Sequence, residues 1–178
     1  MSTPSPGHPS LSRRGLFRAA GLVAGVAAGA GLPALPLAHA VTAFHLINRY
    51  SRKVLEVRGS STANDGPVVT WADNGTFTQQ WVLVPANGFV TLTNRNSGKV
   101  LEVPRSSTAE GTPLVQYDAN GTATQQWQLK PTGDEYYQLL VNRNSGKVAG
   151  ITGTGDGSAV VQQNPNGGTG QQWKVVSA

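Results

Sequence analysis

The sequence has no cysteine, so neither a disulfide nor a thiolate metal site holds its fold together. Histidine is scarce as well: after residue 40 only His45 remains, which removes most zinc sites. Charged residues make up 13% of the chain. No basic cluster occurs after residue 40, whereas a nucleic-acid binder carries a basic patch or stripe. The net charge of +5 has another origin, because Arg13, Arg14 and Arg18 stand near the start and the remainder is nearly balanced. Long helix-forming runs are also missing beyond residue 40. What is plentiful is glycine, 22 residues of it. That combination favours short strands and many turns.

Residues 1–40 read as a leader. Ser12-Arg13-Arg14-Gly15-Leu16-Phe17-Arg18 is followed by an apolar Ala/Gly/Val/Leu stretch and then Ala38-His39-Ala40. A basic start, an apolar middle and an Ala-x-Ala end describe a secretory signal. The paired arginines ahead of Leu-Phe-Arg resemble the twin-arginine export motif, which implies export in the folded state. Ala19 to Leu37 approaches the roughly 20 residues needed to span a bilayer. Pro33, Pro36 and the glycines among them argue against a permanent anchor. Cleavage before Val41, secretion and no stable membrane association are the expectations.

The rest of the chain is built on one stretch that occurs three times. Asn94-Arg95-Asn96-Ser97-Gly98-Lys99-Val100-Leu101-Glu102-Val103 has an earlier copy at 48–57 and a later one at 142–151. Each copy closes with Gln-Gln-Trp, the tryptophans falling at equal steps as Trp81, Trp127 and Trp173. Repeats of this length mean units that cannot bury their apolar faces alone. The repeats run about 43–86, 88–131 and 136–178. The spacing predicts four short strands in each: 44–48, 54–57, 68–71 and 80–84; 89–94, 100–103, 114–117 and 127–130; 137–142, 148–151, 159–162 and 173–176. Turn-formers such as Asn87-Gly88, Ser97-Gly98 and Asn120-Gly121 separate them.

Strand side chains alternate with a period of two. Leu55 and Val57 therefore face one way and Glu56 the other, and Leu101 and Val103 flank Glu102 likewise. The inward set is Leu46, Leu92, Leu140, Leu55, Leu101, Val57, Val103, Ile151 and the three tryptophans. Twelve strands in three units suggest a closed, barrel-like all-β domain. Three repeats with a Leu-Glu-Val strand, an aromatic fifteen residues on, Asn-Gly and Gln-x-Trp resemble the ricin-type β-trefoil lectins. The resemblance covers residues 41–178 and implies a six-stranded barrel capped by three hairpins.

The repeats also sort fold residues from site residues. Asn48, Arg49, Ser51, Lys53 and their counterparts persist in all three copies, as do the tryptophans. The acid does not: Glu56 and Glu102 become Gly150. The aromatic is lost with it, since Trp71 and Tyr117 are matched by Gln163 across a loop two residues shorter. A pyranose offers an apolar C–H face to an aromatic ring and rim hydroxyls to a carboxylate. The resemblance implies one pocket of Glu56, Trp71, Asn74 and Gln79, and a second of Glu102, Tyr117, Asn120 and Gln125. Thr78 and Thr124 stand where many of the lectins have a sugar-binding Asn, and Val69 and Val115 where Gln is frequent. The third repeat is expected to be silent.

A glycosidase needs two carboxyl groups about 5 to 9.5 Å apart, whereas threefold-related surface residues of a domain this size lie on the order of 25 Å apart. Glu56 and Glu102 therefore do not form a catalytic pair. No motif supports a Ser-His-Asp arrangement. Gly153-Thr154-Gly155-Asp156-Gly157 lacks the helix and lysine of a phosphate loop. The expectation is a secreted, monomeric, non-catalytic carbohydrate binder with no cofactor, no metal and no nucleic-acid partner. The rival reading is a β-trefoil protein-interaction module, a protease inhibitor or toxin component, whose loops carry the contact. An accessory domain for an enzyme on a separate chain is a third.

Overall fold

The first repeat forms β1 (Phe44–Asn48), β2 (Val54–Val57), β3 (Gly66–Trp71) and β4 (Trp81–Ala86). The second forms β5 (Phe89–Asn94), β6 (Val100–Glu102), β7 (Val115–Tyr117) and β8 (Trp127–Pro131). The third forms β9 (Gln138–Asn142), β10 (Val148–Ile151), β11 (Ser158–Gln163) and β12 (Trp173–Ser177). These come from a computed structural model that describes residues 42–178. The expected leader at 1–40, with its twin-arginine-like motif and the expected cleavage before Val41, lies outside the described residues.

All the pairings are antiparallel. Strands β1, β4, β5, β8, β9 and β12 close into a ring, each bonded to the next and β12 back to β1. The hairpins β2–β3, β6–β7 and β10–β11 cover one end of this barrel. They join one another through β3–β7, β3–β11 and the bridge between Pro113 and Val161. This is the β-trefoil, with four strands to each pseudo-repeat. At Asn87-Gly88 both residues have positive φ, 50° and 83°, the conformation a two-residue hairpin loop requires between β4 and β5.

The core is the set that alternation selects. Leu46, Leu92, Leu140, Leu55, Leu101, Val57, Val103 and the three tryptophans are buried in one cluster, with Ile151 packed at its margin. Each indole also donates its Nε1–H to a backbone carbonyl: Trp81 to Leu55, Trp127 to Leu101 and Trp173 to Ala149, at 2.9–3.1 Å. Burying the ring and satisfying its polar atom together explain why the tryptophan survives in every copy.

The invariant Asn-Arg pair joins repeat to repeat. Asn94 Nδ2 donates to the Thr78 carbonyl at 2.8 Å, while its Oδ1 accepts the N–H groups of Asn96 and Ser97. Arg95 donates to Gln80 Oε1 at 2.6 Å and lies 4.2 Å over the Phe77 ring. Arg49 over Tyr137 and Arg143 over Phe89 repeat the arrangement. A short 3-10 turn precedes each tryptophan, at Phe77–Gln79, Ala123–Gln125 and Thr169–Gln171. Strand periodicity does not reveal these turns, and they place the first glutamine of each Gln-Gln-Trp.

Candidate functional site

The register of the first hairpin brings the acid and the ring together. Glu56 pairs with Val69 and Val54 with Trp71, so Glu56 and Trp71 share a face as diagonal neighbours. The second hairpin does the same, with Glu102 opposite Val115 and Val100 opposite Tyr117. Trp71 and Tyr117 are half-buried.

The glutamates are not on a solvated strand face, as alternation alone suggests; each is only 8% exposed. Gln79 explains this. Its Nε2 donates to Glu56 Oε2 at 2.6 Å and to the Ala72 carbonyl at 2.8 Å, and its Oε1 accepts the Asn74 N–H at 2.9 Å. Gln125 makes the same three bonds to Glu102, Asp118 and Asn120. With 0% and 1% exposure, the two glutamines have no surface to offer. The expectation that they contact a ligand is therefore corrected. Each is an internal bracket that ties acid, platform strand and Asn loop into one unit.

Burial pushes both carboxyls above their ordinary pKa, against the lowering effect of the glutamine hydrogen bond. A neighbouring acid adds to the rise, Asp156 for Glu56 and Asp65 for Glu102. One oxygen of each carboxylate, Oε2, accepts the glutamine Nε2–H. Asn74 and Asn120 are exposed, and their Oδ1 atoms accept the N–H and Oγ1–H of Thr76 and Thr122. Thr78 and Thr124 are buried, each hydroxyl within 2.7 Å of its neighbouring Thr hydroxyl. Val69, directly opposite Glu56, is buried, and Val115, directly opposite Glu102, is half-buried. Among the described residues no group of three His, Cys, Asp or Glu side chains could hold a metal.

The third repeat is rebuilt. Gln163 pairs with Val148, the register position of Trp71 and Tyr117. Its Oε1 accepts the Gln171 Nε2 at 3.0 Å, taking over the acceptor role of the missing glutamate. A cleft of about 400 Å³ opens there, lined by Tyr50, Ile151, Gly153, Gln163, Asn166 and Gly170 among others. No charged side chain lines it. Gly170 stands where Thr78 and Thr124 fill the other repeats, and no 3-10 turn follows β10 as Arg58–Ser60 and Pro104–Ser106 follow β2 and β6. This cleft and the acid-plus-ring pairs are thus at different places in the trefoil.

The model of the ricin-type beta-trefoil lectin domain-like family matches residues 37–117, 85–160 and 123–178, overlapping spans that take in all three repeats. The chain belongs to this family. The designed threefold-symmetric protein ThreeFoil is 37% identical, with a TM-score of 0.74 over 76% of this chain and 99% of its own. An exo-beta-1,3-galactanase from Clostridium thermocellum is 36% identical, with a TM-score of 0.74 over 77% of this chain. The match spans 30% of the galactanase chain. The Macrolepiota procera ricin B-like lectin, solved in complex with lactose, shares the fold at 18% identity and a TM-score of 0.67, over 76% of this chain and 94% of its own. No curated protein matches the chain. Within this trefoil the thrice-repeated Gln-x-Trp is a bracket followed by a core anchor. Around the buried Glu56 stand the half-buried Trp71 and the exposed Asn74, and around the buried Glu102 the half-buried Tyr117 and the exposed Asn120.

Proposed function

We propose that this trefoil is a secreted, non-catalytic module that binds oligo- or polysaccharide at two shallow sites. One is Glu56, Trp71 and Asn74, bracketed by Gln79. The other is Glu102, Tyr117 and Asn120, bracketed by Gln125. The observation that carries the reading is the pairing of a fixed carboxylate with a half-exposed ring on one hairpin face, twice. Where the acid is lost, the ring is lost too and an internal amide takes its place. A ring stacks on the C–H face of a pyranose, the carboxylate Oε1 accepts a hydroxyl proton, and the Asn Nδ2 donates to a hydroxyl oxygen. Membership of the lectin family supports this chemistry.

Galactose-containing glycans come first in the search. A galactanase is among the similar structures and the Macrolepiota procera lectin was crystallised with lactose. The test is a glycan array of residues 41–178 followed by calorimetric titration of the best ligand. Saturable binding with two equivalents supports the proposal; a folded protein that binds no glycan shifts the reading to loop-mediated protein interaction. Export through the arginine pair belongs to the same proposal. N-terminal sequencing of the secreted protein should begin at Val41, and Arg13→Lys with Arg14→Lys should retain it inside.

A further inference from the structure

Three loop residues at equal steps, Asn64, Glu110 and Asp156, each cross into the next repeat. Asp156 Oδ1 accepts the Ala72 N–H at 2.8 Å and the Lys53 ammonium at 2.5 Å. Asn64 Oδ1 accepts the Asp118 N–H at 3.0 Å, and its Nδ2 donates to Asp118 Oδ2 at 2.9 Å. Glu110 accepts the Asn164 N–H at 3.2 Å and the Asn164 Nδ2 at 2.6 Å. Each landing point is the residue directly after the platform position: Trp71, Tyr117 or Gln163. The following residue of each loop adds a backbone bond to the residue directly before the platform, from Gly157 to Thr70, Asp65 to Gln116 and Gly111 to Gln162, at 2.8–3.0 Å. A Cβ placed on Gly157 would lie 3.5 Å from Trp71 Cζ3, so the loop backbone runs against the indole.

We infer that each sugar platform is positioned by the repeat before it in the ring: Asp156 of the third repeat sets Trp71, and Asn64 of the first repeat sets Tyr117. Pinning the backbone on both sides of the ring residue fixes the direction in which the ring projects from the strand end. Lys53 and Lys99 hold the far side of each latch, pairing with Asp156 and Asp118. The third repeat, though without an acid or ring of its own, is then required by the first site. The inference rests on the two-site reading above.

Trp71 supplies a readout independent of any sugar, because the other three tryptophans are fully buried and Trp71 alone is partly accessible. Asp156→Ala should raise acrylamide quenching of tryptophan fluorescence, while Asn64→Ala leaves it unchanged. Binding is then titrated in two backgrounds, Tyr117→Ala to isolate the first site and Trp71→Ala to isolate the second. Asp156→Ala should weaken the first site by up to roughly tenfold, about the loss of a good apolar contact, and leave the second site alone. Asn64→Ala should do the reverse. Asp156→Asn, which keeps an acceptor for Ala72, should recover most of the first site and restores a fold if the alanine variant lacks one. Unchanged quenching and affinity in folded Asp156→Ala, or equal loss at both sites, would overturn the inference. If the parent protein binds no glycan, the two-site reading fails, and the quenching experiment still decides whether Asp156 holds Trp71.

Discussion

A Cβ added to Gly150 would lie 2.2 Å from Oε1 of Gln163 and 2.7 Å from its Cδ. Glycine at 150 and glutamine at 163 are therefore one feature, since the amide fills the volume that a glutamate side chain occupies in the other repeats. Gly150→Glu alone should be destabilising by about 1–3 kcal/mol, the usual range for overpacking, and thermal or urea unfolding reads it. Adding Gln163→Tyr should recover most of that loss and create a third site, because the latch from Glu110 to Asn164 is already in place. Calorimetric stoichiometry should move from two to three. A parent stoichiometry of three would instead show that the neutral cleft beside Tyr50 takes sugar.

Glycan binding should weaken on acidification at a higher pH than an ordinary glutamate, near 4.5, would give. The cause is the raised pKa of Glu56 and Glu102, whose carboxylate form is the hydroxyl acceptor in the proposed sites. Stability responds in the opposite direction for these two groups. The folded state holds their protons more firmly than the unfolded chain, so their contribution is greatest at low pH and falls as pH rises through the raised pKa. Asp118 and Asp156 run the other way. Lysine hydrogen bonds lower their pKa, so their contribution is present at neutral pH and lost as pH falls through the lowered value. Titration of the parent and of Glu56→Gln with Glu102→Gln from about pH 4 to 7 checks the first effect, since the double variant should lose the pH dependence.

Truncating a platform should reduce affinity without unfolding the protein. Trp71→Ala and Tyr117→Ala each remove an apolar contact worth roughly 1.5–3 kcal/mol, about tenfold or more at the affected site. Trp81→Ala empties a fully buried position and should reduce stability by about 3–5 kcal/mol. A short monovalent glycan should report each site separately. A polysaccharide held at both sites should lose far more in the double variant, since the second contact forms at high effective concentration. Calorimetry beside thermal melts separates these outcomes, and unchanged binding in a folded double variant would remove the two-site reading.

Asp65 occupies a left-handed conformation, φ 60°, where Gly111 and Gly157 occupy the other loops at 80° and 79°. L-residues with a Cβ pay for that region. Asp65→Gly should raise stability by up to about 1 kcal/mol. It also takes away a negative charge that raises the Glu102 pKa. Acid weakening of the second site should then begin at a lower pH, measured by titration in the Trp71→Ala background.

The strand plan was legible because it depends on period and turn chemistry, which act locally. Phe44–Asn48, Val54–Val57, Phe89–Asn94 and Val148–Ile151 fall where alternation and the Asn-Gly and Ser-Gly turns put them. The joint loss of acid and aromatic in the third copy signalled that Glu56 and Trp71 belong together, and the hairpin register sets them on one face. The role of Gln79 was not legible, because persistence in the degenerate repeat shows only that the residue matters, and burial depends on a 3-10 turn that strand alternation does not mark. The latches were missed for a different reason. They join residues as far apart as Ala72 and Asp156 through single side chains, and only the equal steps of 64, 110 and 156 in the sequence could have signalled them.

The pairing of β1 with β12 sets the response to load. Phe44 lies opposite Ser177, and the Ala178 N–H donates to the Ala43 carbonyl at 2.9 Å, so both ends of the domain emerge at one point of the barrel. Tension drawn through those ends acts across the ladder, not along it, and opens its bonds one after another as a zipper opens. A polysaccharide pulling through Trp71 and Tyr117 loads the cap instead, where neighbouring hairpins share the strain. Anchored by its ends to a surface, the domain would yield at the tether seam before the cap that carries Trp71 and Tyr117 came apart.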